Sequence, residues 1–305
     1  MAPIKKVAFL GSKNIGLKCL REMHAIAPEV MSAVIAVDDR EDPRTVFDRI
    51  RDFCAEHKIA LYIARRRRDA DAYIKQLTTD LCIMAGWYWL MSGETLRSVG
   101  GGIFALHNSL LPKYRGWAPF NWAIINDEKE IGITLFYLTE EMDTGDICGQ
   151  ESMKLKDSDY IADVLEEMGG KAALLMRKHY RDIIMGRAKL APQDHSKATY
   201  TTRRYPQDGR IDWNKPSREV YNFIRAQSRP YPGAFIMHEG KKMIVWRACL
   251  GTMVDYAAPG QVAKIAHDGV YVVCGDNRPV VLQQVEIDGK TMPAEKAITS
   301  LMTRL

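Results

Sequence analysis

Short apolar runs at residues 7–10, 31–37, 59–64, 81–85 and 103–106 alternate with amphipathic stretches at 15–27, 43–57, 70–77 and 92–99. The runs have strand length and the stretches between them have helical spacing. Strand and helix in alternation require crossover connections, so the first half of the chain is predicted to be α/β, a doubly wound, mostly parallel sheet. Such sheets take ligands beyond the carboxyl ends of their strands. A further strand is predicted over 131–138 and a long helix over 160–185, ending near Gly186. Polar, turn-rich sequence follows, then a helix over 217–227 with Pro216 just ahead of it. Beyond Pro232 the pattern changes to short strand-like runs at 234–237, 243–250, 260–266, 270–274 and 280–287, broken by Gly and Asp turns. The expected organisation is a larger domain over 1–190, a linker over 191–206, and a C-terminal helix plus small β-barrel over 207–305.

Composition narrows the class. At 305 residues and 47% hydrophobic, the chain can bury a sizeable core. A net charge of +5 attracts phosphate-bearing small molecules, polycarboxylates and nucleic acid alike, and does not choose among them. The six cysteines are scattered singly, without Cys-x-x-Cys or zinc-like His spacing, so they read as free thiols in a reducing compartment, with no metal expected. The start of the chain lacks the apolar core of a signal peptide, and no apolar run approaches the ~20 residues needed to span a bilayer. The expectation is a soluble cytoplasmic protein.

Four segments carry candidate chemistry. Residues 11–16, GSKNIG, lack the middle glycine of a dinucleotide fingerprint and the ending of a phosphate loop, so they read as a tight strand-to-helix turn. Arg65 to Arg68 form a basic run after a strand, either a solvated face or a phosphate contact. The strongest signal is joint: residues 107–116, HNSLLPKYRG, open with a histidine at a strand end, and residues 142–146, MDTGD, offer a carboxylate in a Gly-containing turn. Singly, His107 suits a structural histidine and Asp143 a turn former. Together they can move protons, because an imidazole ordinarily titrates at ~6.5 and a neighbouring carboxylate can orient it. Ser109 has no Gly-x-Ser-x-Gly surroundings and is not read as a nucleophile.

These residues and their flanks resemble the folate-dependent formyltransferase family, closest to the enzymes that formylate nucleotide-linked amino sugars. The resemblance extends through Tyr114-Arg115-Gly116, Ala118-Pro119, Asn121-Trp122, Gly132-Ile133-Thr134, Arg203-Arg204, Ile211-Asp212-Trp213, residues 230–235 (PYPGAF) and Val245-Trp246, roughly the whole chain. It implies a Rossmann-like catalytic domain with an OB-like C-terminal barrel, 10-formyltetrahydrofolate as co-substrate, and no metal. It also implies catalysis by His107 and Asp143. The pteridine ring would lie between Trp87, Tyr88 and Trp89 on one side and the turn Thr139, Glu140, Glu141, Met142 on the other. Asn108, Ser109, Lys113 and Arg115 would face the second substrate, with Pro112 fixing the loop's direction.

One position departs from the family pattern. Members read Asn-x-His, the amide donating to the formyl oxygen as it becomes an oxyanion; here Ala105 stands at that position, before Leu106 and His107. Losing one such donor typically costs about 10²- to 10³-fold in turnover. An impaired variant, natural or engineered, a member using another donor, and a relative that binds without transfer all accommodate the alanine. For the acceptor amine, residues 37–44, VDDREDPR, are short and acidic where methionyl-tRNA formyltransferases carry a long basic insertion, a poor surface for a phosphate backbone. A nucleotide-linked amino sugar is therefore expected as partner, with neither nucleic acid nor membrane, and a homodimer is open. A 10-formyltetrahydrofolate hydrolase, using water as acceptor, and a methionyl-tRNA formyltransferase are the alternatives.

Overall fold

The computed structural model describes residues 4–305, which divide into two compact units. The first comprises residues up to 119 with 130–154 and 165–202; the second comprises 120–129, 155–164 and 203–305. Of the expected linker 191–206, residues 191–202 thus belong to the first unit and 203–206 to the second. Ala191 exchanges backbone hydrogen bonds with Ile147, which ties this stretch to the sheet.

In chain order the first half runs β1 (Val7–Gly11), α1 (Lys13–Ile26), β2 (Met31–Val37), α2 (Phe47–Glu56), β3 (Ala60–Ala64), α3 (Arg67–Leu77), β4 (Leu81–Ala85), α4 (Gly93–Ser98) and β5 (Ile103–His107). There follow β6 (Arg115–Gly116), α5 (Pro119–Ile125), β7 (Glu130–Tyr137), β8 (Ile147–Lys154), α6 (Ile161–Ile184) and β9 (Tyr200–Thr201). β1 and β4 are buried at every position, as strands covered on both faces must be. α1 buries Gly16, Leu17, Cys19, Leu20 and Met23, a single face at helical spacing.

The main sheet has the order β3-β2-β1-β4-β5-β7-β8; the first five strands are parallel, and β7 and β8 add on antiparallel. The chain leaves β1 toward one edge and returns at β4 toward the other, so the crevice at the carboxyl ends of β1 and β4 is the topological switch point. The turn after β4 closes tightly on the turn after β1: Ser12 Oγ donates to the Gly86 carbonyl at 2.7 Å. Gly86 has φ +67°, and a Cβ there would run into the Ser12 carbonyl oxygen. Only glycine fits, and the tripeptide Trp87 to Trp89 is launched from that turn.

The second unit continues with α7 (Ser217–Gln227), β10 (Ala234–His238), β11 (Lys241–Leu250), β12 (Val262–Ala266), β13 (Gly269–Val273), β14 (Pro279–Ile287), β15 (Lys290–Pro293) and α8 (Ala294–Ala297). The strands form an antiparallel sheet of order β10-β11-β14-β13-β12, with β15 beside β14. Val220, Tyr221 and Ile224 of α7 pack into the core with Ile236, Val245, Val272 and Leu282. On the same helix Arg225 is 1% exposed. Its Nη1 donates to the carbonyls of Lys156 and Asp159 at 3.2 and 2.9 Å, and its Nε to Asn222 Oδ1 at 3.0 Å. Arg225→Ala strands those acceptors out of water and is expected to destabilise this unit by about 3 kcal/mol, read as a lower urea midpoint.

Candidate active site

β5 brings the key residues to one place by strand alternation: Ala105 and His107 share a face. Ala105 lies between Met84 of β4 and Phe136 of β7, and His107 opposite Thr134. Ala105 is 5% exposed and packs in an apolar cluster with Met84, Met91, Leu111 and Phe136, against which Trp87 and Trp89 rest.

The loop after His107 is tied down from below. Thr134 Oγ1 donates to the Ser109 carbonyl at 2.6 Å and accepts from Leu111 N at 3.1 Å; Gln150 Nε2 donates to the Leu111 carbonyl at 2.9 Å. Ser109 Oγ donates to the Lys113 carbonyl at 2.5 Å, a structural bond that closes the loop on itself. Lys113 is exposed and Asn108 half-buried.

His107 Nε2 lies 2.8 Å from the Tyr114 carbonyl oxygen. A carbonyl can only accept, so Nε2 carries a proton, and in the neutral form of the ring the lone pair is on Nδ1. That Nδ1 faces Asp143 Oδ2 at 3.5 Å. The separation is longer than an ordinary hydrogen bond. One proton entering the gap would be met from both sides. The carboxylate is itself aimed, because Gly116 N donates to Oδ2 at 2.8 Å. Asp143 sits in the left-handed region at φ +56°, which aspartate tolerates better than most residues.

Arg115, expected to face substrate, is 1% exposed. Its guanidinium donates to Tyr200 Oη at 3.0 Å, Gln193 Oε1 at 2.7 Å and His195 Nδ1 at 3.0 Å. The parallel pairing of β6 with β9 turns the side chain inward, away from solvent. Gln193, 5% exposed, was not singled out by sequence; its Nε2 donates to the carbonyls of Asp143 and Gly145 at 2.9 and 2.6 Å. Its only sequence signal is a polar residue in a turn-rich stretch.

Of the aromatic tripeptide, Trp87 and Trp89 stack edge to face with centroids 5.3 Å apart. Trp87 Nε1 is buried with no hydrogen-bond partner among the described residues. Tyr88 points elsewhere: its hydroxyl donates to Asp39 Oδ2 at 3.0 Å. Lys13 Nζ lies 2.7 and 2.8 Å from Asp39 and Asp42. Burial pushes the Asp42 carboxyl up, but hydrogen bonds from Arg44 and Lys13 outweigh it and hold the group well below the usual carboxylate range. The cation at the switch point is thus already matched by acids.

In the turn after β7, Thr139 Oγ1 lies 2.9 Å from Thr144 Oγ1, and the Glu141 carbonyl accepts from both hydroxyls. Glu140 pairs with Arg97 of α4, and Met142 is half-buried. Arg65, Arg66 and Arg67 pair with Asp38, Asp69 and Asp71 on an exposed face, the solvated arrangement. Among the described residues no cluster of His, Cys, Asp and Glu could hold a metal, and no helix is long and apolar enough to cross a membrane.

Comparison with known proteins gives the family and the fold. The formyl transferase family matches residues 5–173, and the formyl transferase C-terminal domain matches residues 204–301. The chain is 30% identical over 300 residues to methionyl-tRNA formyltransferase of Acetivibrio thermocellus, covering 96% of each. It is 31% identical over 250 residues to the bifunctional polymyxin resistance protein ArnA of Wigglesworthia glossinidia brevipalpis, covering 81% of this chain and 38% of that one, so it spans well under half of that relative. Among solved structures, the sugar 3N-formyl transferase WlaRD superposes with a TM-score of 0.70 at 18% identity, over 94% of this chain and 99% of that one. The N-formyltransferase of Helicobacter canadensis, solved with folinic acid and dTDP-3-aminofucose, gives 0.70 at 19% identity, over 91% and 98%. These superpositions establish a shared fold.

Proposed function

Because the chain belongs to the formyl transferase family, we propose that it moves the formyl group of 10-formyltetrahydrofolate to the primary amine of a nucleotide-linked amino sugar. The observation that carries the chemistry is the bare Nδ1 of His107 opposite the Asp143 carboxylate. When bound, the folate supplies the activated formyl carbon; the chain must take the proton the amine releases and return one to the departing folate nitrogen. His107 Nδ1 accepts the first proton, Asp143 stabilises the resulting imidazolium, and the same pair returns the proton. The surroundings of Trp87 suit a flat ligand rich in acceptors, since its Nε1 is a donor without a partner beside an apolar cluster. Ala105 leaves the formyl oxygen one donor short, so the chain is a slow member of its family.

The acceptor reading rests on the segment after β2. Asp38, Asp39 and Asp42 there are engaged by Arg40, Lys13 and Arg44, an acidic and closed segment that offers a tRNA backbone little. Sugar N-formyltransferases among the superposing structures favour the same reading. The test follows folate turnover with a panel of nucleotide-linked amino sugars, with methionyl-tRNA, and with no acceptor. Turnover that depends on one of the sugars is expected. Formylation of methionyl-tRNA would transfer the assignment to that acceptor, and equal turnover with no amine would make the protein a hydrolase.

A further inference from the structure

We propose that Gln193 is a positioning residue that sets the distance between Asp143 and His107 without touching substrate. The inference rests on the roles given above to those two residues. Asp143 Oδ2 stands 3.5 Å from Nδ1, so a few tenths of an ångström separate a gap that a shared proton can bridge from one it cannot. Something must hold the turn that carries Asp143. Its own residues do so in part: a Cβ on Gly145 would run into the Tyr137 carbonyl, so the turn presses directly on β7. The remaining hold comes from outside it.

Gln193 spends its whole amide on this task. Its two amide hydrogens meet the carbonyls of Asp143 and Gly145, on either side of Thr144, at 2.9 and 2.6 Å. Its oxygen takes the Arg115 guanidinium at 2.7 Å. Arg115 directly precedes Gly116, whose N–H fixes the Asp143 carboxylate at 2.8 Å. The backbone of Asp143 and the donor that aims its side chain are thereby joined through one glutamine. Arg115 is anchored independently by Tyr200 and by the β6–β9 ladder, so the frame to which Gln193 ties the turn is rigid.

The test uses the full chain with Gln193→Met, which keeps the length and removes the amide, and Gln193→Glu, which keeps an acceptor for Arg115 but loses the donors to the turn. Both are expected to lower kcat about tenfold or more while each KM stays within about twofold, because misplacement of a group on this scale costs turnover and not binding. Wild-type kcat in Gln193→Glu would mean that the glutamine serves only Arg115, and would overturn the proposal. In the Asp143→Asn background, Gln193→Met is expected to add less than about a twofold loss, since both act on one interaction. A further tenfold loss there would also overturn it. The amide of Gly116, whose acceptor is Asp143, is expected to exchange with solvent about tenfold faster in both variants than in the wild type, and unchanged exchange counts against the proposal. This last measurement needs no substrate. If the wild type transfers formyl to no amine, the functional reading fails, while Gly116 exchange still decides the role of Gln193.

Discussion

Asp143→Asn is expected to lower formyl transfer by about 10³-fold or more while leaving the KM for the folate within about threefold, the upper part of the range for loss of a general acid–base pair. The asparagine is nearly isosteric and its oxygen can still accept from Gly116 N, so the turn keeps its shape. What changes is the face toward His107. The amide oxygen that Gly116 N holds at the Oδ2 position is the atom that faces Nδ1, and it carries no charge. The imidazolium formed in the reaction also loses its counter-charge. His107→Ala is expected to fall as far, because it removes the acceptor itself. In both, folate binding measured by fluorescence titration should stay near the wild-type value, since the contacts proposed for the donor's ring are the segments around Trp87 and Thr139 instead. Loss of folate binding with wild-type turnover at saturation would reverse the assignment of these residues.

Much of this arrangement is legible in the sequence, for reasons the structure makes plain. Strands covered on both faces, such as β1 and β4, write themselves as unbroken apolar runs, and α1 repeats its apolar positions at helical spacing. β8 does not: it is an edge strand reading ICGQESMK, mixed in polarity because one side has no neighbour. β6 and β9 have two residues each, too few for any period. The same pair hides the fate of Arg115, which reads as a loop cation free to meet phosphate and is instead buried by a pairing between segments about eighty residues apart. His107 and Asp143 are recognisable because each sits in a distinctive local string. Gln193 is not, since its role depends on which carbonyls fold over it, and no local pattern encodes that.

Ala105→Asn is expected to raise kcat/KM for formyl transfer by about 10²-fold, the lower end of what one oxyanion donor is worth. Strand alternation gives position 105 the same face as His107, one step earlier along β5, so a longer side chain there extends toward the reacting group. His107 cannot substitute for that donor in the resting site: its one N–H is spent on the Tyr114 carbonyl, and its other nitrogen must stay bare to act as base. On the proposed mechanism the roles of donor and base therefore need two residues, of which His107 supplies one. The gain should appear in kcat, because the charge that the amide meets develops only in the transition state. It should come with a stability cost of about 1–3 kcal/mol, since without ligand the new amide faces Met84, Leu111 and Phe136 and lacks a full set of partners. A lower melting temperature that recovers on adding a folate analogue would place the amide in the ligand's path. Unchanged turnover together with that recovery would mean that Ala105 belongs to a site whose oxyanion, if one forms, is met from elsewhere.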